Sequence, residues 1–314
     1  MPIQSAPPVV VRPGGHIDPS RTPPSITPTG PLRNEGRCSR PPIGPRGART
    51  VTENTSSPPA SGADAAVAFR CNVCGCQNVV PGEKIGREIA SCAQCGSWGR
   101  ARAIVRCLSL VLFRRALALP DMPADRLITG IGLSDWDGYA AGLARLFSYR
   151  NTFFHAPPRL DITAPPVEMR NSLDFLISSE VFEHIPPPVE GAFAGAFDLL
   201  KPGGALILSV PYSKLPQTIE HFPDLHRFEV VRRGERHVLV NHRRDGRREE
   251  FDDLVFHGGP GAVLEMRVFC EQDLIARLQQ AGFRRITIHG EDDPSFGVIN
   301  REDWSLPVTA IKPL

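Results

Sequence analysis

The segment that most limits what this chain can fold into is Ser172–Tyr212, SLDFLISSEVFEHIPPPVEGAFAGAFDLLKPGGALILSVPY. Its apolar runs DFLISS and ALILSV are short, lack polar alternation and are bounded by turn residues, so each reads as a strand buried on both faces. Between them, Pro188 to Leu200 carries apolar residues at helical spacing and stops at Lys201-Pro202-Gly203-Gly204. Proline and glycine end a helix there, glycine because it tolerates left-handed angles. Strand, helix and strand in that order make a parallel crossover unit.

The same alternation runs through the C-terminal two thirds of the chain. Strands are expected near 126–131, 149–154, 159–162, 174–179, 204–210, 283–289 and 306–312, with helices near 99–119, 135–147, 188–200 and 271–281. The pattern predicts an α/β fold with a doubly wound, mostly parallel, Rossmann-like sheet. Pro157 to Pro166 holds four prolines and leaves no room for a helix between the second and third strands.

Composition sets the N-terminal boundary. Residues 1–60 hold 14 of the 32 prolines, and the first aromatic residue is Phe69. Such a stretch buries too little apolar surface to offset its ordering entropy, so residues 1–66 are expected to be a disordered, Pro-rich tail. Seven arginines against Asp18, Glu35 and Glu53 make residues 1–60 +4; with +2 for the whole chain, the remainder is −2. A body without basic excess counts against a nucleic-acid partner. The tail lacks the apolar h-region of a secretory signal. Ala103–Leu119 is interrupted by Arg106, Arg114 and Arg115, which argues for an amphipathic helix rather than a membrane span. The expectation is a cytoplasmic protein with no membrane partner.

Cys71-Asn-Val-Cys74 and Cys92-Ala-Gln-Cys95 are two C-x-x-C knuckles with 17 residues between them, each followed directly by glycine. Two knuckles place four thiolates for a tetrahedral structural zinc, with no position left for water. Buried thiols or a redox pair are the alternatives. Cys76 sits one residue too far along its turn, and Cys107 and Cys270 lie in apolar helical surroundings. The expected organisation is therefore a zinc-ribbon-like module plus linking helix over 67–120 and a second domain over 121–314.

In Ser172–Tyr212 the chain resembles the class I S-adenosylmethionine-dependent methyltransferases, specifically the type 11 group, which carry a pattern like FD-V-S-x-V-x-EH-I, a helix, and L-KPGG-x-L-x-L-SVPY. The likeness spans roughly 124–290. It implies S-adenosylmethionine as cofactor. It also implies a glycine loop after the first strand, matched by Thr129-Gly130-Ile131-Gly132, although Ile128 stands where the family has an acid and Ser134 where it has a third glycine. Further cofactor contacts follow from the same resemblance: Asp161, after the third strand, and the turn Ser178-Ser179-Glu180. The acid that relatives place after the second strand for the ribose is missing, since Phe154-His155-Ala156 stands there.

Methyl transfer chiefly needs alignment of nucleophile, methyl and sulfur, and a hydroxyl acceptor also benefits from a base. Glu183-His184 follows the fourth strand at its carboxyl end, where open α/β sheets bind ligands, so His184 with Glu183 is the candidate catalytic pair. A turn-capping role is the alternative. The insertion Ser213–Arg267 is rich in histidine and charge and contains a hairpin with Asp245-Gly246 at its turn; it is the expected substrate cap. The expected activity is O-methylation of a small molecule or glycan. A ribosomal-RNA methyltransferase and a catalytically silent binding protein of the same fold are the competing readings.

Overall fold

The computed structural model describes residues 65–258 and 261–314. The expected Pro-rich tail, apart from residues 65 and 66, lies outside them, as does Cys38. The chain enters through a hairpin of β1 (Val67–Arg70) and β2 (Gln77–Val80). The second knuckle then leads into α1 (Gly99–Phe113). This helix stops six residues before the expected 119. Arg114 turns left-handed at φ 60, and Leu119–Asp121 forms a separate short helical turn.

Next come β3 (Thr129–Leu133), α2 (Asp137–Leu146), β4 (Ser148–Thr152), β5 (Leu173–Ser179), α3 (Glu190–Leu199) and β6 (Leu200–Ser209). The insertion adds β7 (Tyr212–Ser213), β8 (Ile219–Glu220), β9 (Arg227–Arg233), β10 (Arg236–His242), β11 (Arg248–Phe251), β12 (Phe256–His257), β13 (Val263–Leu264) and β14 (Arg267–Cys270). The chain closes with α4 (Glu271–Gln280), β15 (Arg284–Ile288) and β16 (Val308–Ile311).

The central sheet runs β15-β16-β6-β5-β3-β4. β3, β4, β5 and β6 are mutually parallel, and β16 enters antiparallel between β6 and β15. The strand expected at 159–162 is reduced to one bridge, Phe153 to Arg159, because prolines 157, 158, 165 and 166 have no N–H to give a ladder. The Lys201–Gly204 stretch is not a loop before a strand but a bulge within β6. The register jumps from Leu173–Leu200 to Phe175–Ala205, and Gly203 takes φ 82.

Alternation along β5 and β6 sorts the core. Leu176, Leu206 and Leu208 face α3 and α4, packing with Phe193, Leu274 and Leu278. Phe175, Ile177, Ala205 and Ile207 face α1 and α2, packing with Ile104, Leu108 and Leu143. The helix expected as a linker is thus a layer of the α/β body. Arg102 within it is fully buried and donates to the carbonyls of Ser97 and Gly297 and to Ser91 Oγ, tying the cysteine module to the C-terminal segment. No helix among the described residues is long and apolar enough to cross a membrane.

Candidate functional site

Gly130 and Gly132 do not form a turn; both lie inside β3 and are buried. Gly130 is flanked by Tyr149 on β4 and Phe175 on β5, whose rings stack with centroids 6.0 Å apart and planes 9° apart. A Cβ on Gly130 would stand 2.1 Å from the Phe175 ring. One on Gly132 would stand 2.1 Å from both Asp135 Oδ2 and the Tyr149 hydroxyl. The glycines therefore make room for protein side chains, as strand glycines often do where groups approach closely. Gly130→Ala should destabilise the fold by about 1–3 kcal/mol through overpacking. Phe175→Ala in the same chain should recover part of that loss, since the two sites share one space. Thermal melts showing additive losses would contradict the packing.

The turn that does follow β3 is Ser134-Asp135-Trp136, with Ser134 left-handed at φ 56. Asp135 accepts from Tyr139 at 2.8 Å and Tyr149 at 2.7 Å, and burial pushes its carboxyl up to about 7. Thr129 stands at the amino end of β3, where its hydroxyl donates to Ser172 O and Asp174, so it belongs to the opposite edge of the sheet from the expected cofactor contacts. Ile131 is a core residue. Asp161 accepts from the backbone N–H and hydroxyl of Thr163, a local turn.

The carboxyl ends of β3 and β5 carry the rest of the expected cofactor set. Ser178 is fully buried, and its hydroxyl has no hydrogen-bond partner among the described residues. Ser179 accepts from Arg100 at 2.7 Å, and Glu180 pairs with Arg87 at 2.7 Å. Despite its burial, Glu180 is held below the usual carboxylate range by Arg87 and Arg100. Trp98 packs on Trp136 at 4.7 Å over the same edge. The cysteine module thus closes over the crevice where an open α/β sheet takes its ligand. Sequence spacing gave no sign of this, because Arg87 and Arg100 lie 93 and 79 residues from the Glu180 and Ser179 they meet, and Trp98 lies 38 from Trp136. The Ser179 hydroxyl and the Glu180 carboxylate at the end of β5 are groups of the kind an S-adenosylmethionine donor would use, and here Arg100 and Arg87 occupy them.

Beyond Glu180 the chain makes a tight helical turn, Phe182–His184. Arg267 on β14, fully buried, holds it by donating to Phe182 O and Ile185 O while pairing with Glu220. Met266 N–H donates to Glu183 O at 2.8 Å. His184 Nδ1 meets Leu264 O at 2.9 Å. The insertion therefore docks on this turn, and Glu265, which the sequence reading did not name, joins His221 and His257 of the expected cap there. Glu265 accepts from His221 Nε2 and His257 Nε2, both at 2.9 Å. The Glu183 side chain is fully buried, neither of its oxygens has a hydrogen-bond partner among the described residues, and burial with the nearby Glu180 charge raises it well above the usual carboxylate range. Burial lowers His184 below the ordinary imidazole value. The hairpin arginines are matched by acids on the same sheet, Arg243 by Glu249 and Arg233 by Glu250.

The four knuckle cysteines converge, all within 4.8 Å of one another. Cys71 Sγ lies 3.7 Å from Cys95 Sγ and Cys74 Sγ 3.6 Å from Cys92 Sγ, so the close pairs cross between knuckles. Gly75 at φ 82 and Gly96 at φ 70 make the two turns. A tetrahedral zinc with bonds of about 2.3 Å spaces its sulfurs by about 3.8 Å, so the donor set fits zinc.

Comparison with known proteins accords with this geometry. Residues 151–208, from the end of β4 through β5 and α3 into β6, match the family model described as a methyltransferase domain. The chain thus carries a segment similar to a methyltransferase domain within a Rossmann-like α/β sheet. No curated protein matches the sequence. Among solved structures, the Burkholderia thailandensis 1,6-didemethyltoxoflavin-N1-methyltransferase is similar at 16% identity over 68% of this chain and 79% of that one, with a TM-score of 0.36. The amino pentose methyltransferase CalS10 from Micromonospora echinaspora is similar at 15% identity over 69% and 92%, with a TM-score of 0.38. The sugar N-methyltransferase KedS8 from Streptoalloteichus is similar at 11% identity over 69% and 87%, with a TM-score of 0.40.

Proposed function

We propose that the protein methylates a hydroxyl oxygen of a small molecule or glycan, with the donor at the β3–β5 crevice and the acceptor at the Glu183–His184 turn beneath the insertion. The observation that carries this reading is the turn itself: a buried carboxylate and an imidazole at the carboxyl end of β5, held by Arg267, in the segment that matches the methyltransferase domain. S-adenosylmethionine supplies an electrophilic methyl group. The chain's own residues align the acceptor and take its proton. Because the Leu264 carbonyl can only accept, His184 Nδ1 carries the ring proton and Nε2 keeps its lone pair for the acceptor's O–H. The four cysteines hold a structural zinc that keeps the module against the sheet.

A silent binding protein is the second reading, supported by the closed edge: Arg100 on Ser179, Arg87 on Glu180, and side chains filling the space over Gly130 and Gly132. Titration calorimetry with S-adenosylmethionine separates the two. Under the enzyme reading, binding should be measurable and should tighten in Arg87→Ala, which frees Glu180 from its partner. No heat in either chain would leave the silent protein. Labelled methyl groups appearing in total RNA, and not in small acceptors, would instead favour an RNA substrate.

A further inference from the structure

Glu183, His184 and His257 each offer one ligand atom, and these atoms lie within 4.8 Å of one another. We infer that they bind a divalent transition-metal ion, a second metal site distinct from the four cysteines. The argument begins with proton positions. His184 Nδ1–H is committed to Leu264 O, so the lone pair is on Nε2, which faces Glu183 Oε1 at 3.5 Å. His257 Nε2–H is committed to the Glu265 carboxylate, so its lone pair is on Nδ1, which faces the same oxygen at 3.9 Å. Two ring lone pairs and one carboxyl oxygen therefore converge on one space.

A hydrogen atom does not fill that space, because 3.5 and 3.9 Å exceed the reach of an O–H···N bond. A cation does. With metal–ligand bonds of about 2.1 Å, tetrahedral ligands stand about 3.4 Å apart. The Glu183 side chain is fully buried and both its oxygens lack hydrogen bonds among the described residues, a cost that a bound cation removes. The surroundings have the form of metal-binding histidines, whose far nitrogen is tied to a carboxylate or carbonyl. Glu265 does this for His257 and Leu264 O for His184, while His221 holds the other Glu265 oxygen.

Two imidazoles and one carboxylate suit zinc, cobalt, nickel, manganese or iron over magnesium or calcium. Three protein ligands leave at least one position open, and the His257 side chain is 35% exposed against 13% for His184, so the open side lies toward the insertion. Ion binding stands independently of methyl transfer. Its use rests on the function proposed above and changes one step of it: with the ion bound, His184 Nε2 is a ligand and not the base, and a hydroxyl acceptor in the open position would lose its proton to solvent more readily.

Cobalt is the probe, added to protein whose cysteines are already filled with zinc. One further equivalent should bind with ligand-field absorption but no thiolate charge-transfer band. Glu183→Gln and His257→Ala should each abolish that absorption. Glu183→Gln should melt no lower than wild type without metal, since it removes a buried, unpartnered carboxylate, yet it should lose the rise in melting temperature that cobalt gives wild type. No second equivalent, or a second equivalent retained in both variants, overturns the site. Cobalt binding without methyl transfer to any acceptor refutes the functional reading and leaves the metal site standing.

Discussion

A chain carrying Cys71→Ser and Cys92→Ser is expected to lose one equivalent of zinc and most of its thermal stability. Each substitution removes one thiolate from a different cross-knuckle pair, Cys71 with Cys95 and Cys74 with Cys92, so no three-thiolate remnant survives. Structural zinc in small modules contributes about 10–16 kcal/mol of apparent binding free energy, comparable to the whole stability of a domain at about 5–15 kcal/mol. The damage should not stay local. Phe69, Val73 and Ile85 of the module share one core with α1 and with Phe175 and Ile177 of the sheet. Arg102 and Arg301 add ties from α1 to Gly297 and from the C-terminal segment to Ile85. Losing only about 4 kcal/mol would lower the melting temperature by roughly 8–16 °C in a chain of this size. Metal analysis and thermal melts check both halves. Unchanged zinc in the double variant would remove the cysteines from consideration as ligands.

His184→Ala is expected to reduce turnover by roughly 100- to 10,000-fold, the usual contribution of a general base, with the affinity for S-adenosylmethionine nearly unchanged. The split follows from position. His184 sits past the end of β5 under the insertion, whereas the proposed donor contacts are Ser178, Ser179 and Glu180. Added imidazole should restore part of the rate, since the space left is that of the missing ring. With the cation inferred above, a chelator that leaves the thiolate zinc in place should reproduce the loss in wild type and add nothing to the variant. Near-normal turnover in His184→Ala would reduce the residue to a turn contact for Leu264 and shift attention to His221 and His257.

The methyltransferase-like segment was legible because its signals are local. An apolar run, a polar turn and a helix stopped at Lys201–Gly204 lie within one crossover unit, and the structure places β5, α3 and β6 there with edges shifted by at most four residues from expectation. The cysteine knuckles were legible for the same reason, since two residues between thiolates fix a turn whatever surrounds it. The glycine pair was not. A Gly-x-Gly can open a ligand loop or clear space inside a strand, and only the rings brought in by β4 and β5 decide between them.

His184 and Glu183 could be named from their place after a strand. Their surroundings are set by Leu264, Glu265, His257 and Arg267, which fold back from about 70–85 residues away. The same holds at the crevice, where Arg87 and Arg100 reach Glu180 and Ser179 from the cysteine module. Short-range spacing and hydrophobic period therefore determined which elements this chain forms. Tertiary packing alone decided which charges meet, because burial and partners, not residue type, set where a proton, a cation or a ligand can sit.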